Sequence, residues 1–374
     1  MSRKLLISSL LALVVLFQGC SVKPDLFLRK TAETKIVLAT KINVNLMWQV
    51  NWNVVWTYPW NAAVYGPVGY TVPASMRLHV YPHGADGRIQ SHQTYNFYGT
   101  STELPIVVGT YDLIFHNNDS EVLLFKADGD LGDIYCYTRT ISSGLKESSP
   151  VKTIQQKTVT KGDVKAPESE PVVLMPDGLF VLNDMGHTIT DNLDEYDYID
   201  GKYVLQISGE LDPGTFIYLF QVHLVNNNGR VVGSNGGGAI TGVAAGVTLN
   251  TMVADDATVS VPMDVHYDAS DNLLGARVIC FGIPGCNAYE RESVTKAPNG
   301  ENCLVLNVTY NNGTWKNICI DVTSQVRSLP TGGVIELELD VDDFPPESGT
   351  SSGGGFDALI DNWKEEQAET TIIN

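Results

Sequence analysis

Several short patterns place chemistry-bearing side chains at suggestive spacing, and each must be weighed against the backbone that its chemistry needs. Gly349-Thr350-Ser351-Ser352-Gly353 fits G-x-S-x-G, in which a strand-to-helix elbow presents a nucleophilic serine. Here Pro345-Pro346 stand before it and more glycines follow, so neither flank can form. Ser149-Pro150-Val151-Lys152 fits S-x-x-K, but Pro150 forbids the helical turn that would stack the amine over the hydroxyl. Asp128, Asp130 and Asp133 suggest a calcium loop without the EF-hand spacing or its glutamate at the twelfth position; a wet turn between strands explains them. His79 and His83 have a zinc-binding spacing on a helix, whereas on a strand and turn they diverge and predict no metal site. Gly236-Gly237-Gly238 lack the lysine and hydroxyl of a phosphate loop and read as a tight turn with close backbone packing. Trp52, Trp56, Tyr58, Trp60 and Tyr65 form either an exposed sugar platform or, for about half of them, part of a first hydrophobic core. The chain is expected to have no catalytic residue, no metal site and no cofactor.

The strongest chemical signal is one thiol. Met1-Ser2-Arg3-Lys4 is a short basic start, and Leu5 to Phe17 is an apolar run too short to span a bilayer permanently, which together make a signal peptide. It ends in Phe17-Gln18-Gly19-Cys20, where a small residue before the first cysteine has the pattern of a lipobox. The expected events are acylation of the Cys20 thiol and cleavage between Gly19 and Cys20, leaving a lipid-anchored protein outside the cytoplasm. Phe17 and Gln18 are bulkier than the usual residues there.

The elements that must position everything else are strands. Short alternating and apolar runs separated by Gly, Pro, Asn and Asp dominate, and no long 3.6-residue period appears. In a first group, Val44, Leu46, Trp48, Val50 and Trp52 form one face of a strand, followed by strands at 76–81, 95–98, 104–116, 122–126 and 134–140. A second group runs through 203–208, 216–225, 258–266, 276–283, 303–310, 315–322 and 334–341. The Gly- and Ala-rich stretch 233–246 reads as one short helix or a bulged crossover. The boundaries expected are a signal peptide at 1–19, a lipidated tether at 20–35, a first β-sandwich at 36–145 and a polar linker at 146–170. A second β-sandwich at 171–345 and a Ser/Gly spacer with an acidic tail at 346–374 complete the chain.

Register follows from parity at one hairpin. Leu304, Leu306, Val308 and Tyr310 share a face, as do Ile318, Ile320 and Val322. A two-residue Asn312-Gly313 turn would oppose Leu306 to Cys319 and separate the apolar faces, whereas a three-residue loop, Asn311 to a left-handed Gly313, opposes Leu306 to Ile318. The longer loop is predicted, and with it Cys303 and Cys319 lie diagonally and stay unbonded.

The chain is acidic, with 24 Lys and Arg against 43 Asp and Glu and a formal charge of −19, which excludes nucleic acid as a partner. Beyond Cys20 the cysteines are Cys136, Cys280, Cys286, Cys303 and Cys319, an odd number without C-x-x-C spacing, so at least one buried thiol stays free.

Certain motifs in order carry a family resemblance. They are the lipobox, Trp48 to Trp56, Met76-Arg77-Leu78-His79-Val80-Tyr81-Pro82, Leu104-Pro105, Gly109-Thr110-Tyr111-Asp112 and Asn117-Asn118-Asp119. The second half adds Asp321-Val322-Thr323-Ser324-Gln325-Val326, Gly332-Gly333-Val334-Ile335, Gly354-Gly355-Phe356-Asp357 and Asn362-Trp363. Together these resemble the fimbrillin and fimbrial-anchor lipoproteins of Gram-negative gut and oral anaerobes, in their uncharacterised Bacteroides-type branch. The resemblance implies an all-β chain of two tandem Greek-key, transthyretin-like sandwiches. It implies attachment to the outer membrane at the cell surface through lipid on Cys20, and a structural role that anchors or assembles fimbriae by strand-edge or groove contacts with other fimbrial subunits. Polymerising members are cut after an arginine to free a strand-accepting groove, and Arg29 is the position this implies here. Ser21-Val22-Lys23-Pro24 departs from the acidic stretch that often follows the lipidated cysteine. Anchor and polymer roles stay open, and a surface lipoprotein that binds glycans or host ligands is the alternative.

Overall fold

In the computed structural model the residues described are 35–42, 58–90, 92–126, 134–141, 170–200, 202–287, 302–344 and 370–373. Strands dominate them, and the sheets stack in a sandwich-like manner, so the expected all-β class holds. The proposed strand at 44–52, the polar linker up to residue 169 and the Ser/Gly spacer lie outside the described residues.

Alternation builds the larger core. In β11 (Phe216–Val225), Phe216, Tyr218, Phe220, Val222 and Leu224 point one way. This strand is flanked by β17 (Leu273–Cys280), antiparallel, and β20 (Gly333–Asp340), parallel, with β16 (Val265–Asp268) beyond β17. Opposite lies a second sheet of β15 (Thr258–Met263), β12 (Val231–Ala244), β18 (Cys303–Tyr310), β19 (Trp315–Asp321) and β21 (Thr370–Ile373). Leu304, Leu306, Val308 and Ile318 of that sheet meet the β11 face in one buried cluster. The β18–β19 register sets Leu306 against Ile318, the loop closes over 311–313, and Gly313 has φ 84°, all as parity predicts. Cys303 and Cys319 are accordingly diagonal neighbours whose thiols share a hydrogen bond and form no disulfide.

The Gly-rich stretch is neither helix nor turn: β12 is a 14-residue strand whose register slips against both neighbours. Its glycines answer to close approach. A Cβ on Gly237 would stand 2.3 Å from the Met263 carbonyl, and one on Gly238 would stand 2.4 Å from that of Val305. The bulge at Thr241-Gly242 is held from two sides. The buried Glu170 carboxylate accepts from the Gly242 N–H at 3.2 Å, while Asn302 Nδ2 donates to both bulge carbonyls at 3.0 Å.

The other large sheet has the order β3 (Gln93–Tyr98), β2 (Ser75–Pro82), β5 (Gly109–Asn117), β8 (Phe180–Ile189), β10 (Lys202–Pro213), β1 (Lys35–Ile42) and β4 (Glu103–Pro105). A short β9 (Asp197–Ile199) pairs with the start of β10. Phe97 of β3 and Leu104 of β4, from its two ends, share one buried cluster with Leu78, Phe115 and Ile207, so the sheet curls over its own inner face. β8, β9 and β10, which follow residue 171, all belong here, and the chain leaves this sheet after Pro213.

The halves of the chain are also interlocked. A small sheet orders β14 (Val253–Ala254), β13 (Gly246–Thr248), β7 (Tyr135–Thr138) and β6 (Leu123–Lys126), with Val247 opposite Cys136. Tyr81, Ile114 and Leu123 pack there with Ala244, Leu249 and Met252, so the cores meet through a third cluster.

Candidate functional site

The segment from Tyr58 to Tyr70 explains why β11 is buried on both faces. It contains the short helix α1 (Ala62–Tyr65) and lies over Ile217, Leu219 and Ile279, the outer side of the β11 sheet, with Trp60, Val68 and Tyr70 packed on them. Tyr65 lies against Gly275, where a Cβ would stand 2.4 Å from its ring. The described part of the aromatic cluster thus covers the second half of the chain and neither fills the first core nor stands free as a platform; Trp52 and Trp56 lie outside the described residues.

Where this segment ends, a cleft of about 370 Å³ opens between it, the loop after β5, the approach to β8 and the β17 strand. Its floor is pre-set by hydrogen bonds. Asn117 Nδ2 donates to Asp119 Oδ1 at 3.1 Å and to the Gly178 carbonyl at 2.9 Å, and its Oδ1 accepts from the Phe180 N–H at 2.8 Å. Ser120 Oγ donates to Asp177 Oδ2 at 2.7 Å, and Asp119 Oδ2 accepts from the Ala74 N–H at 2.6 Å. Tyr70 donates to the Thr215 carbonyl and meets Phe180 edge-on at 5.3 Å; burial pushes its hydroxyl pKa up. Arg277 enters from β17 with its Nε shielded from solvent and unpartnered, and burial lowers its pKa against the pull of Tyr70 and Asp177.

A second polar group crosses the first sheet. His116 Nδ1 is 2.8 Å from the Asn117 carbonyl, which can only accept, so Nδ1 carries the proton and Nε2 of the neutral ring accepts. His79 Nε2, 3.0 Å away, must then donate, leaving its Nδ1 to face His92 Nε2 at 3.4 Å. Burial pushes His79 down to about 4, with His92 and Arg77 adding to it. Burial pushes His116 down to about 3 against the Asn117 hydrogen bond. His83 instead pairs with Asp112 at 2.9 Å, so His79 and His83 do reach different partners. No cluster of three or more metal-ligating side chains occurs among the described residues.

The sheet ends complete the picture. Among the described residues β3 pairs only with β2, and its sequence Gln-Thr-Tyr-Asn-Phe-Tyr has neither the charge nor the proline that usually guards an edge; Tyr98 is 91% exposed. The β20 edge, by contrast, carries Glu336, Glu338 and Asp340. Gly19, Cys20 and Arg29, the serine motifs at 149–152 and 349–353, and Asp128, Asp130 and Asp133 lie outside the described residues. Neither the cleft nor the histidine chain is visible in spacing, since each is assembled from distant segments; the one local sign is an arginine inside the otherwise apolar run Leu273 to Cys280.

A family model described as a domain of unknown function, DUF5119, matches residues 64–264. No curated protein matches the chain. Among solved structures, a candidate adhesin from Bacteroides ovatus is 19% identical, with 86% of this chain and 95% of that one covered and a TM-score of 0.49. The fimbrial anchor protein Mfa2 from Porphyromonas gingivalis is 9% identical over 82% of this chain and 90% of its own, with a TM-score of 0.42. A candidate polysaccharide-binding protein of Bacteroides thetaiotaomicron is 11% identical over 82% and 92%, also at 0.42.

Proposed function

The chain belongs to the DUF5119 family, and from that premise we propose that it is a lipid-anchored surface protein that holds fimbrial subunits at the outer membrane and is not itself a polymerising subunit. The observation that carries this reading is the place of β1. Lys35–Ile42 pairs in parallel with β10 over eight residues and antiparallel with β4. No arginine lies between Arg29 and Arg77, which is inside β2. A cut after Arg29 therefore severs the tether but leaves β1 in its sheet, and no strand-sized groove opens. Processing at Arg29 would only detach the protein from its lipid.

The tether from Cys20 to Lys35 supports the same role. Fifteen residues reach about 50 Å at full extension, so β1 and its sheet stay close to the bilayer. Acyl chains on Cys20 contribute about 0.8 kcal/mol per buried methylene, which makes attachment effectively permanent. The unguarded β3 edge offers another subunit a place to add a strand. The test is Cys20→Ala in cells: the folded protein should leave the membrane fraction and surface filaments should be lost or shed. Filaments that remain attached at normal density contradict the proposal.

A further inference from the structure

Arg277 is short of partners in a place where the fold could easily have supplied one. Its Nε has no acceptor, and one terminal nitrogen reaches only the Gly69 carbonyl at 3.5 Å, the outer limit of a hydrogen bond. Asp177 is close enough to favour the charge, yet its Oδ2 is engaged by Ser120 at 2.7 Å. A half-buried guanidinium whose Nε is shielded from solvent and unpartnered, in a pre-formed cleft, is aimed at something that enters it. The volume of about 370 Å³ is at the lower end of the roughly 300–1,000 Å³ of small-molecule sites.

The lining decides which chemistry fits. A free anion would meet Asp119 and Asp177 at the mouth, and a free cation would meet Arg277. A neutral hydroxylated ligand uses both signs, because each hydroxyl can accept from the guanidinium and donate to a carboxylate. Tyr70, Phe180 and Ile279 add apolar walls suited to the C–H face of a sugar ring. We propose that this cleft binds a neutral saccharide unit, with Arg277 donating to one hydroxyl and Asp177 accepting from its neighbour. Nothing in this depends on the anchoring role, since no residue that lines the cleft belongs to β1 or β3.

Ligand-observed saturation-transfer NMR on the full chain in a non-sugar detergent tests it, with methyl α-mannoside, methyl β-glucoside and methyl β-galactoside as neutral probes and glucuronate and glucosamine as charged ones. At least one neutral glycoside should bind saturably, and Arg277→Met and Asp177→Asn should each weaken it at least tenfold at an unchanged melting temperature. Asp177 is exposed, so Asp177→Asn decides the matter if Arg277→Met does not fold. Absence of binding by all three neutral glycosides, unchanged binding in Asp177→Asn, or tighter binding of either charged sugar overturns the proposal.

Discussion

Acid should destabilise this protein through two imidazoles before its carboxylates dominate. His79 and His116 are 3% and 0% exposed and are held neutral in the fold, at about 4 and about 3, whereas the same groups in an unfolded chain titrate near 6.5. Their folded values lie below their unfolded ones, so this contribution is complete above about pH 6.5 and is lost as pH falls toward 4. Between those limits the unfolded chain binds two protons that the folded chain refuses. Each proton is worth about 1.4 kcal/mol per pH unit, so the pair removes about 3 kcal/mol per unit, a large part of a stability of about 5–15 kcal/mol. Urea unfolding at pH 7.0, 6.0, 5.5 and 5.0 measures the slope. His79→Gln keeps a donor for His116 Nε2 while removing one titrating group, and should cut the slope by about 1.4 kcal/mol per pH unit in that range. A variant with the wild-type slope would show that the histidine chain is not the acid-sensitive element.

Further outcomes can be measured on the same protein. Glu170→Ala strips acceptors from the Gly242 N–H and the Ser260 hydroxyl inside the bulge and should cost about 1–3 kcal/mol in urea unfolding. Gly332→Ala and Gly313→Ala both force a left-handed alanine, at φ 83° and 84°; only at Gly332 does the new Cβ fall 2.3 Å from a carbonyl, that of Ile217. Gly313→Ala should therefore cost about 1–2 kcal/mol and Gly332→Ala clearly more by thermal denaturation, and equal losses would refute the close approach of Gly332 to the Ile217 carbonyl. Alkylation of the denatured, unreduced mature domain should label all five cysteines after Cys20, whereas a Cys303–Cys319 cross-linked peptide would refute the β18–β19 register.

What the sequence reveals depends on how local each signal is. The strand β11 is legible because one continuous apolar run, Phe216–Val225, is bounded by Gly214 and Asn226, and the β18–β19 hairpin because the parity of its apolar residues fits a loop with one left-handed glycine. The 104–116 run hides a break, since Val107 and Val108 are exposed between β4 and β5 and hydrophobicity alone joins them. β12 escapes for the opposite reason: glycines packed against carbonyls carry no hydrophobic period. β8 is missed as well, because exposed and half-buried residues around Gly186, at φ 70°, interrupt its pattern. The cleft draws on residues near 70, 119, 177 and 277, a juxtaposition that only the folded topology creates.

The N-terminus of the protein isolated from native outer membranes tests the anchor most directly. Intact-mass and peptide mass spectrometry should find an acylated Cys20 followed by an unbroken tether into Lys35–Ile42. A mature chain that begins at Lys30 in sheared filaments, with no acylated form left in the membrane, would contradict it.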